Sequence, residues 1–392
     1  MSDTKKLQEK IDEVCCLGGG TVEIPAGEYR IGSLRLYSNM TLHLQAGARL
    51  YGSKNYQDYT DYHVPTTMKY VTDPEYRKKW NLPDYYIYGI FCAFGEENIS
   101  IIGDEDSLID GQDCFDANGE EKFRGPMGLI FSNCRNITLK GYTVANSANW
   151  SHQIDSCENI VIEDVTVKAG HDGFNLHHCT GITIKNCDLK TGDDCVAGYD
   201  VKDLRVSGCF LNTACNSMRI GGADLLFEDC VFEGPGRYPH RSEHTFYTHA
   251  MFKYYAIGLD TIRGDAENIC FRNCRFQNVT RLFAYQQGNK DWMQDNRPLR
   301  GITMEHVRID GLEKTALLLG GQEPCTLTLK DAAFGAHISC PDGVVLEVDD
   351  AVTLNLQHVT CEVPVKIRVS EGSTVRMDGC VNIELEEKQR ER

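Results

Sequence analysis

A short alternating run recurs through the middle of the chain. It reads NITLKGYTV from Asn136, NIVIEDVTV from Asn159, GITIKNCDL from Gly181, DLRVSGCFL from Asp203 and DLLFEDCVF from Asp224, with starts 23, 22, 22 and 21 residues apart. NICFRNCRF follows from Asn268, 44 residues further on, which is two laps of the same period. Weaker copies flank these: NMTLHLQAG and NISIIGDED before them, GITMEHVRI, TLTLKDAAF, AVTLNLQHV and STVRMDGCV after. A period in the low twenties with a β-type alternating segment in every unit is the mark of a solenoid. Leucine-rich repeats share the period but need an L-x-x-L-x-L-x-x-N frame, which is absent, and no unit carries helical spacing. What remains is an all-β chain wound as a parallel β-helix, each repeat one coil, with coils about 4.8 Å apart. One solenoid of this kind accommodates residues 1–392 as a single domain, where a chain of 392 residues would otherwise suggest two or three.

The cysteines keep the same time. Cys134, Cys157 and Cys179 each precede a repeat start by two residues, and Cys187, Cys209, Cys230 and Cys274 each follow one by six. Two columns of small buried side chains are expected, in preference to redox or metal centres. None of the 18 cysteines forms a C-x-x-C pair with zinc spacing. At the N-terminus, Leu7, Ile11 and Val14 have helical spacing before LGGG, so residues 5–16 are expected to form a cap helix over the first coil. The closing ELEEKQRER reads as a frayed or solvated tail. Two stretches break the rhythm, 52–90 with Pro65, Pro74 and Pro83, and 234–264 with Tyr247, Tyr254 and Tyr255. Insertions of this sort build the walls of a binding cleft. No secretory leader or long apolar run is visible, so a cytoplasmic location is expected. The net charge of −17 opposes nucleic acid and anionic membranes as partners.

Against that rhythm, three aspartates stand out. Asp172 plus 22 is Asp194, and Asp194 plus 22 is Asn216, while Asp193 sits beside Asp194. Equivalent positions on successive coils would crowd three carboxylates into one patch, which opposes full ionisation and raises the proton affinity of at least one. An acid holding a proton next to an ionised base is the pairing that glycosidic cleavage needs, and an inverting enzyme separates the two by about 6.5–9.5 Å. Solvated turn acids at coil corners, or a calcium site, are the plainer readings of the same residues.

The chain resembles the polygalacturonase family, glycoside hydrolase family 28, a family of right-handed parallel β-helices. GGGTVEIPAGEYRIGSLRLYSNMTLHLQAGARLYGS is similar to its first coils, and SLIDGQ and NSANWSHQIDSCENIVIEDVTV to the lead-in to its site. HDG stands where the family has Asn-Thr-Asp-Gly, and TGDDC matches its Gly-Asp-Asp-Cys. The resemblance runs from about residue 18 to 310. It implies Asp193 as general acid, with Asp172 and Asp194 jointly holding the attacking water.

Two departures follow. The family's Gly-His-Gly turn aligns with CNSMRIGG, which puts Asn216 in place of a histidine, able to hydrogen-bond but not to carry charge. Its Arg-Ile-Lys triplet aligns with AIGLDT, which puts Gly258 and Asp260 at the basic positions. Arg219 is then the first substitute cation for a substrate carboxylate, with Lys253 and Arg263 behind it. His152 and His171 are expected on the cleft wall, and Tyr254, Tyr255, Tyr285 and Trp292 as a group that stacks on sugar faces. The expectation is an inverting, exo-acting glycoside hydrolase of a pectin-like oligosaccharide, with no cofactor and no metal. The competing readings are a β-helix polysaccharide lyase or epimerase, and a non-catalytic carbohydrate-binding solenoid.

Overall fold

In the computed structural model, which describes residues 2–258, 260–287, 297–320 and 323–388, the chain is an all-β, right-handed parallel β-helix with an N-terminal helix. It forms two compact units, one of residues 1–197 with 238–245, the other of 198–237 with 246–392.

In the first unit each lap is a set of short strands joined by tight turns. The strand Arg135–Lys140 pairs in parallel with Glu97–Gly103 on one side and Glu158–Glu163 on the other, and Glu158–Glu163 pairs in turn with Thr180–Lys185. The register stacks Ile99, Ile137, Ile160 and Ile182 in one interior column and Ile101, Leu139, Ile162 and Ile184 in the next. All eight are buried. Strand periodicity sends the residues between them outward, so one slip in register would reverse every side chain.

Asparagines hold the bend where each lap enters its alternating strand. Asn39, Asn98, Asn136 and Asn159 all have φ between 55° and 59°, a left-handed conformation that asparagine tolerates better than other side chains. Their amides form a chain: Asn98 donates to Asn39 (2.7 Å), Asn136 to Asn98 (2.9 Å) and Asn159 to Asn136 (3.2 Å). The first cysteine column is equally regular. Cys134, Cys157 and Cys179 are buried, and each thiol donates to the carbonyl two residues before it, at 3.2–3.3 Å.

The helix Ser2–Cys16 caps the first coil. Leu7 and Ile11 point inward, and the polar side chains satisfy the exposed strand edge. Asp3 accepts from the Arg30 amide (3.1 Å), Thr4 from Gly32 (2.9 Å) and Gln8 from Arg35 (2.8 Å). An open edge would otherwise leave those donors to another chain.

Residues 52–90 leave the coil as an insertion carrying the helices Lys69–Thr72 and Pro74–Trp80. Val64, Met68, Leu82, Tyr86 and Ile87 pack with Met127, Ile130 and Trp150 of the coil. Asp155 fastens the insertion down, accepting from the Thr66 hydroxyl (2.6 Å), the Thr67 amide (3.1 Å) and the Thr67 hydroxyl (3.2 Å).

The second unit continues in the same style. Phe210–Thr213, Val231–Glu233 and Arg275–Thr280 stack in parallel, with Phe227 over Phe271 (4.7 Å between ring centres) and Phe232 over Phe276 (4.9 Å). Its cysteines Cys209, Cys230 and Cys274 are buried. Of the closing ELEEKQRER, Glu384–Glu387 are not frayed: they belong to the strand Val381–Glu387, largely exposed, which pairs in parallel with Thr360–Val369 as Ile383 and Leu385 continue the ladder of Val365 and Ile367. Residues 389–392 of that stretch lie outside the described residues. Among the described residues no helix is long and apolar enough to cross a membrane.

Candidate active site

The site lies on the first unit, where two turns meet. The Gly173 amide donates to the Asp194 carbonyl (2.9 Å) and the Phe174 amide to the Cys195 carbonyl (3.0 Å). In a parallel ladder this puts Asp172 and Asp194 at equivalent positions on successive laps. Two glycines allow the close approach. A β-carbon on Gly173 would stand 2.5 Å from the Cys195 carbonyl oxygen, and one on Gly192 would stand 2.1 Å from that of Pro239. Asp193 projects from the turn beside Asp194, whose amide donates back to Asp193 Oδ1 (3.0 Å).

One carboxylate oxygen each from Asp172, Asp193 and Asp194 lies within 4.8 Å of the others. Asp172 and Asp194 are buried, and the Asp193 side chain is 14% exposed. Asn175 donates to Asp172 Oδ2 at 2.5 Å. The carboxylate oxygens are also hard donors of the type that hold Mg²⁺ or Ca²⁺.

Sequence reasoning missed the cations that meet this cluster. Arg124, 9% exposed, reaches Asp193 Oδ2 with Nη2 (3.1 Å), Asn149 Oδ1 with Nη1 (3.4 Å) and Glu121 Oε2 with Nε (2.9 Å). Glu120 stands 3.7 Å from Nε and accepts from the Tyr86 hydroxyl (2.6 Å). Burial works against the charge on Arg124, but Glu120, Glu121 and Asp193 outweigh it and hold the group well above its ordinary value. His240 approaches Asp193 Oδ1 at 3.7 Å. Its neighbours tie the loops together: Arg241 pairs with Asp113 (3.0 Å) and Ser242 donates to Glu121 (2.8 Å). A cavity of about 420 Å³ opens among Phe115, Glu121, Phe123, Pro239, Arg241 and Ser242. Arg124 lies outside the repeat, and no periodicity marks it. His240 lies in a stretch that reads only as an insertion.

The other expected residues divide. His171 is buried beside Asp172, with the Phe123 ring stacked on it at 5.7 Å. Its Nε2 has no hydrogen-bond partner among the described residues. Burial, and then Arg124, hold it well below the usual imidazole range. His152 is not a cleft-wall residue. It is fully buried in the column Leu129–His152–Phe174, with Nε2 on the Tyr142 hydroxyl (3.1 Å) and Nδ1 on the Gly173 carbonyl (3.2 Å). Burial lowers its pKa to about 4.

Asn216, Arg219, Lys253 and Arg263 belong to the second unit. Asn216 is buried on the strand Asn216–Glu228, paired with Ala250. Three positions along, Arg219 is the ladder partner of Lys253, and its guanidinium lies over the Tyr255 ring at 4.0 Å. Lys253 is thus the residue on the rung next to Arg219. Asp260 is committed elsewhere, accepting from the Tyr199 hydroxyl at 2.6 Å. Arg263 is likewise engaged, with Nε on Asp200 Oδ2 (3.0 Å) and Nη2 on the Asp200 carbonyl (2.6 Å). Tyr254 and Tyr285 pack edge to face at 5.3 Å in the core, so neither is presented to a sugar. Trp292 lies outside the described residues.

Fold and site together define a parallel β-helix protein with an acidic cluster on successive laps. The chain belongs to the glycosyl hydrolases family 28, whose model matches residues 20–217, a stretch holding all three aspartates. It is 28% identical over 213 residues to a probable polygalacturonase of Vitis vinifera, covering 50% of this chain and 42% of that protein. The chain spans about two fifths of the length of two plant relatives it matches, 42% and 36%. Among solved structures it is similar to the family 28 exopolygalacturonase of Yersinia enterocolitica, with a TM-score of 0.59 at 19% identity, covering 99% of this chain and 76% of that one. The hyperthermoactive exopolygalacturonase of Thermotoga maritima gives a TM-score of 0.59 at 14% identity, covering 96% and 87%.

Proposed function

We propose that the chain is a glycoside hydrolase that cleaves pectin-type galacturonan, acting on chain ends. The observation that carries this reading is the meeting of Asp172, Asp193 and Asp194, with oxygens within 4.8 Å, at a turn built for close approach. Asp193, the most exposed of the three, donates a proton to the departing glycosidic oxygen. Asp172 and Asp194 orient a water and accept its proton. The product sugar keeps the new hydroxyl, and the leaving chain takes the proton of Asp193, so the second proton must return to Asp193 before the next turnover. The family 28 match and the polygalacturonase relatives support a galacturonan substrate. The loops tied by Arg241–Asp113 and Ser242–Glu121 restrict the wall beside the acids, which favours chain ends over chain interiors.

Two stereochemical courses are distinguishable. A retaining enzyme uses one acid as nucleophile, and an inverting enzyme uses one to activate water. Proton NMR of the first product released from galacturonate oligomers separates the two. A β-anomer from an α-linked substrate means direct displacement by water, and an α-anomer means a covalent intermediate. Release of an unsaturated, ultraviolet-absorbing product, abolished by chelator, would replace both with a lyase. Sugar binding with no product on long incubation would leave a binding solenoid.

A further inference from the structure

Arg124 is a buried cation whose three donor nitrogens are all directed at oxygen. Nε faces Glu121, Nη1 faces Asn149 and Nη2 faces Asp193. It does not belong to the coil. It comes from the loop after Glu120–Lys122, and that loop is buttressed from the insertion 52–90 by the Tyr86 hydroxyl on Glu120. A planar guanidinium held at two points, by Glu121 and Asn149, has little freedom, and it transmits that order to the Asp193 carboxylate on its third nitrogen.

We infer that Arg124 is a positioning residue for Asp193, fixing the orientation of the carboxylate and setting the pH range over which it carries a proton. The inference rests on the catalytic reading of Asp193 given above. Its physical basis is a balance of charge. Asp172 and Asp194 lie within 4.8 Å of Asp193 through one oxygen each, and like charges at that distance favour the protonated acid. Unopposed, they would leave Asp193 too weak an acid to give up its proton readily. Arg124 at 3.1 Å pulls the other way. His240 at 3.7 Å adds to it only when protonated. His171 stands beside Asp172, and the charge of Arg241 is directed to Asp113. On the far side of Arg124, Glu120 and Glu121 compete with Asp193 for the guanidinium, so its pull on Asp193 is partial. An acid tuned between opposing charges suits proton donation near the working pH.

The test uses the full chain in five forms: unaltered, Asp193→Asn, Arg124→Gln, Arg124→Lys and Glu120→Gln. Two readouts are followed, the pH profile of kcat/KM on a galacturonate trimer and the carboxyl ¹³C titration of Asp193, assigned by difference from Asp193→Asn. Arg124→Gln is expected to move both the alkaline limb of the profile and the titration to higher pH, by about one to three pH units. Arg124→Lys keeps a charge but not the fork. It should return the titration most of the way while kcat stays at least about tenfold down, because orientation is not restored. Glu120→Gln frees the guanidinium for Asp193 and should shift both readouts to lower pH. Should Arg124→Gln fail to fold, this opposite shift carries the test. A fall in activity with the limb and the titration unmoved in Arg124→Gln, or no shift in Glu120→Gln, overturns the inference. Full activity in Asp193→Asn overturns the catalytic reading instead, and the titration still reports on Arg124.

Discussion

Gly173 sits so close to Cys195 on the neighbouring lap that a β-carbon added to it would stand 2.5 Å from the Cys195 carbonyl oxygen. The contact is with backbone, so the two laps must part to admit a side chain. Gly173→Ala is expected to lower stability by about 1–3 kcal/mol and to reduce kcat more than it raises KM, since it displaces Asp172 from Asp194. A chemical denaturation series with steady-state kinetics measures both. Unchanged kcat in a folded Gly173→Ala protein would mean that the spacing of the two acids is not critical.

Asp193→Asn is expected to cut turnover by about 10²–10⁴-fold while leaving the thermal unfolding midpoint within a few degrees. Asp172→Asn and Asp194→Asn should fall in the same range. Combining Asp172→Asn with Asp194→Asn should cost less than the product of the single losses, as for residues that act on one water. Multiplicative losses would show that they act independently.

His152 makes stability depend on pH. Its folded pKa is about 4, below the ordinary 6.5, so the unfolded chain binds this proton more tightly than the folded one. The stabilising term is therefore complete above about pH 6.5 and is lost as the pH falls towards 4, below which both states are protonated and nothing further changes. The loss amounts to about 3 kcal/mol. His171, also depressed, adds in the same direction. Urea unfolding midpoints between pH 4 and 7 should decline on the acid side, with a shallower decline in His152→Leu. Equal slopes in the two proteins would count against a neutral buried imidazole.

The Asp155 anchor is testable without any substrate. Asp155→Ala removes three acceptor contacts to Thr66 and Thr67 and is expected to cost about 2–4 kcal/mol. Limited proteolysis should then cut first within 52–90, leaving the coil strands intact. Cleavage elsewhere, or at an unaltered rate, would show that the apolar cluster around Trp150 holds the insertion by itself.

Much of this was readable from spacing alone. The lap of 22 residues predicted that Asp172 and Asp194 share a position, and the alternation predicted the columns Ile99–Ile182 and Ile101–Ile184. The same alternation could have placed His152. It stands two residues before Ile154, just as Phe174 stands two before Leu176, so it shares their inward phase. Tyr254 could have been read likewise from Phe252. Arg124 could not. Its position depends on a loop outside the repeat and on a buried glutamate, Glu120, whose partners arrive from an insertion. Arg263 and Asp260 were out of reach for a similar reason, since they follow an irregular stretch in which sequence distance stops measuring spatial distance.

The amide chain of Asn39, Asn98, Asn136 and Asn159 joins residues 59, 38 and 23 apart in sequence. It therefore counts turns of the winding and is indifferent to how much polypeptide is paid out between them. A lap can gain a whole excursion, as the one containing 52–90 has, without breaking the seam. Architecture and recognition are thereby decoupled. Selection, or an engineer, can rewrite the excursions at one end of the seam while the asparagines keep the winding in step.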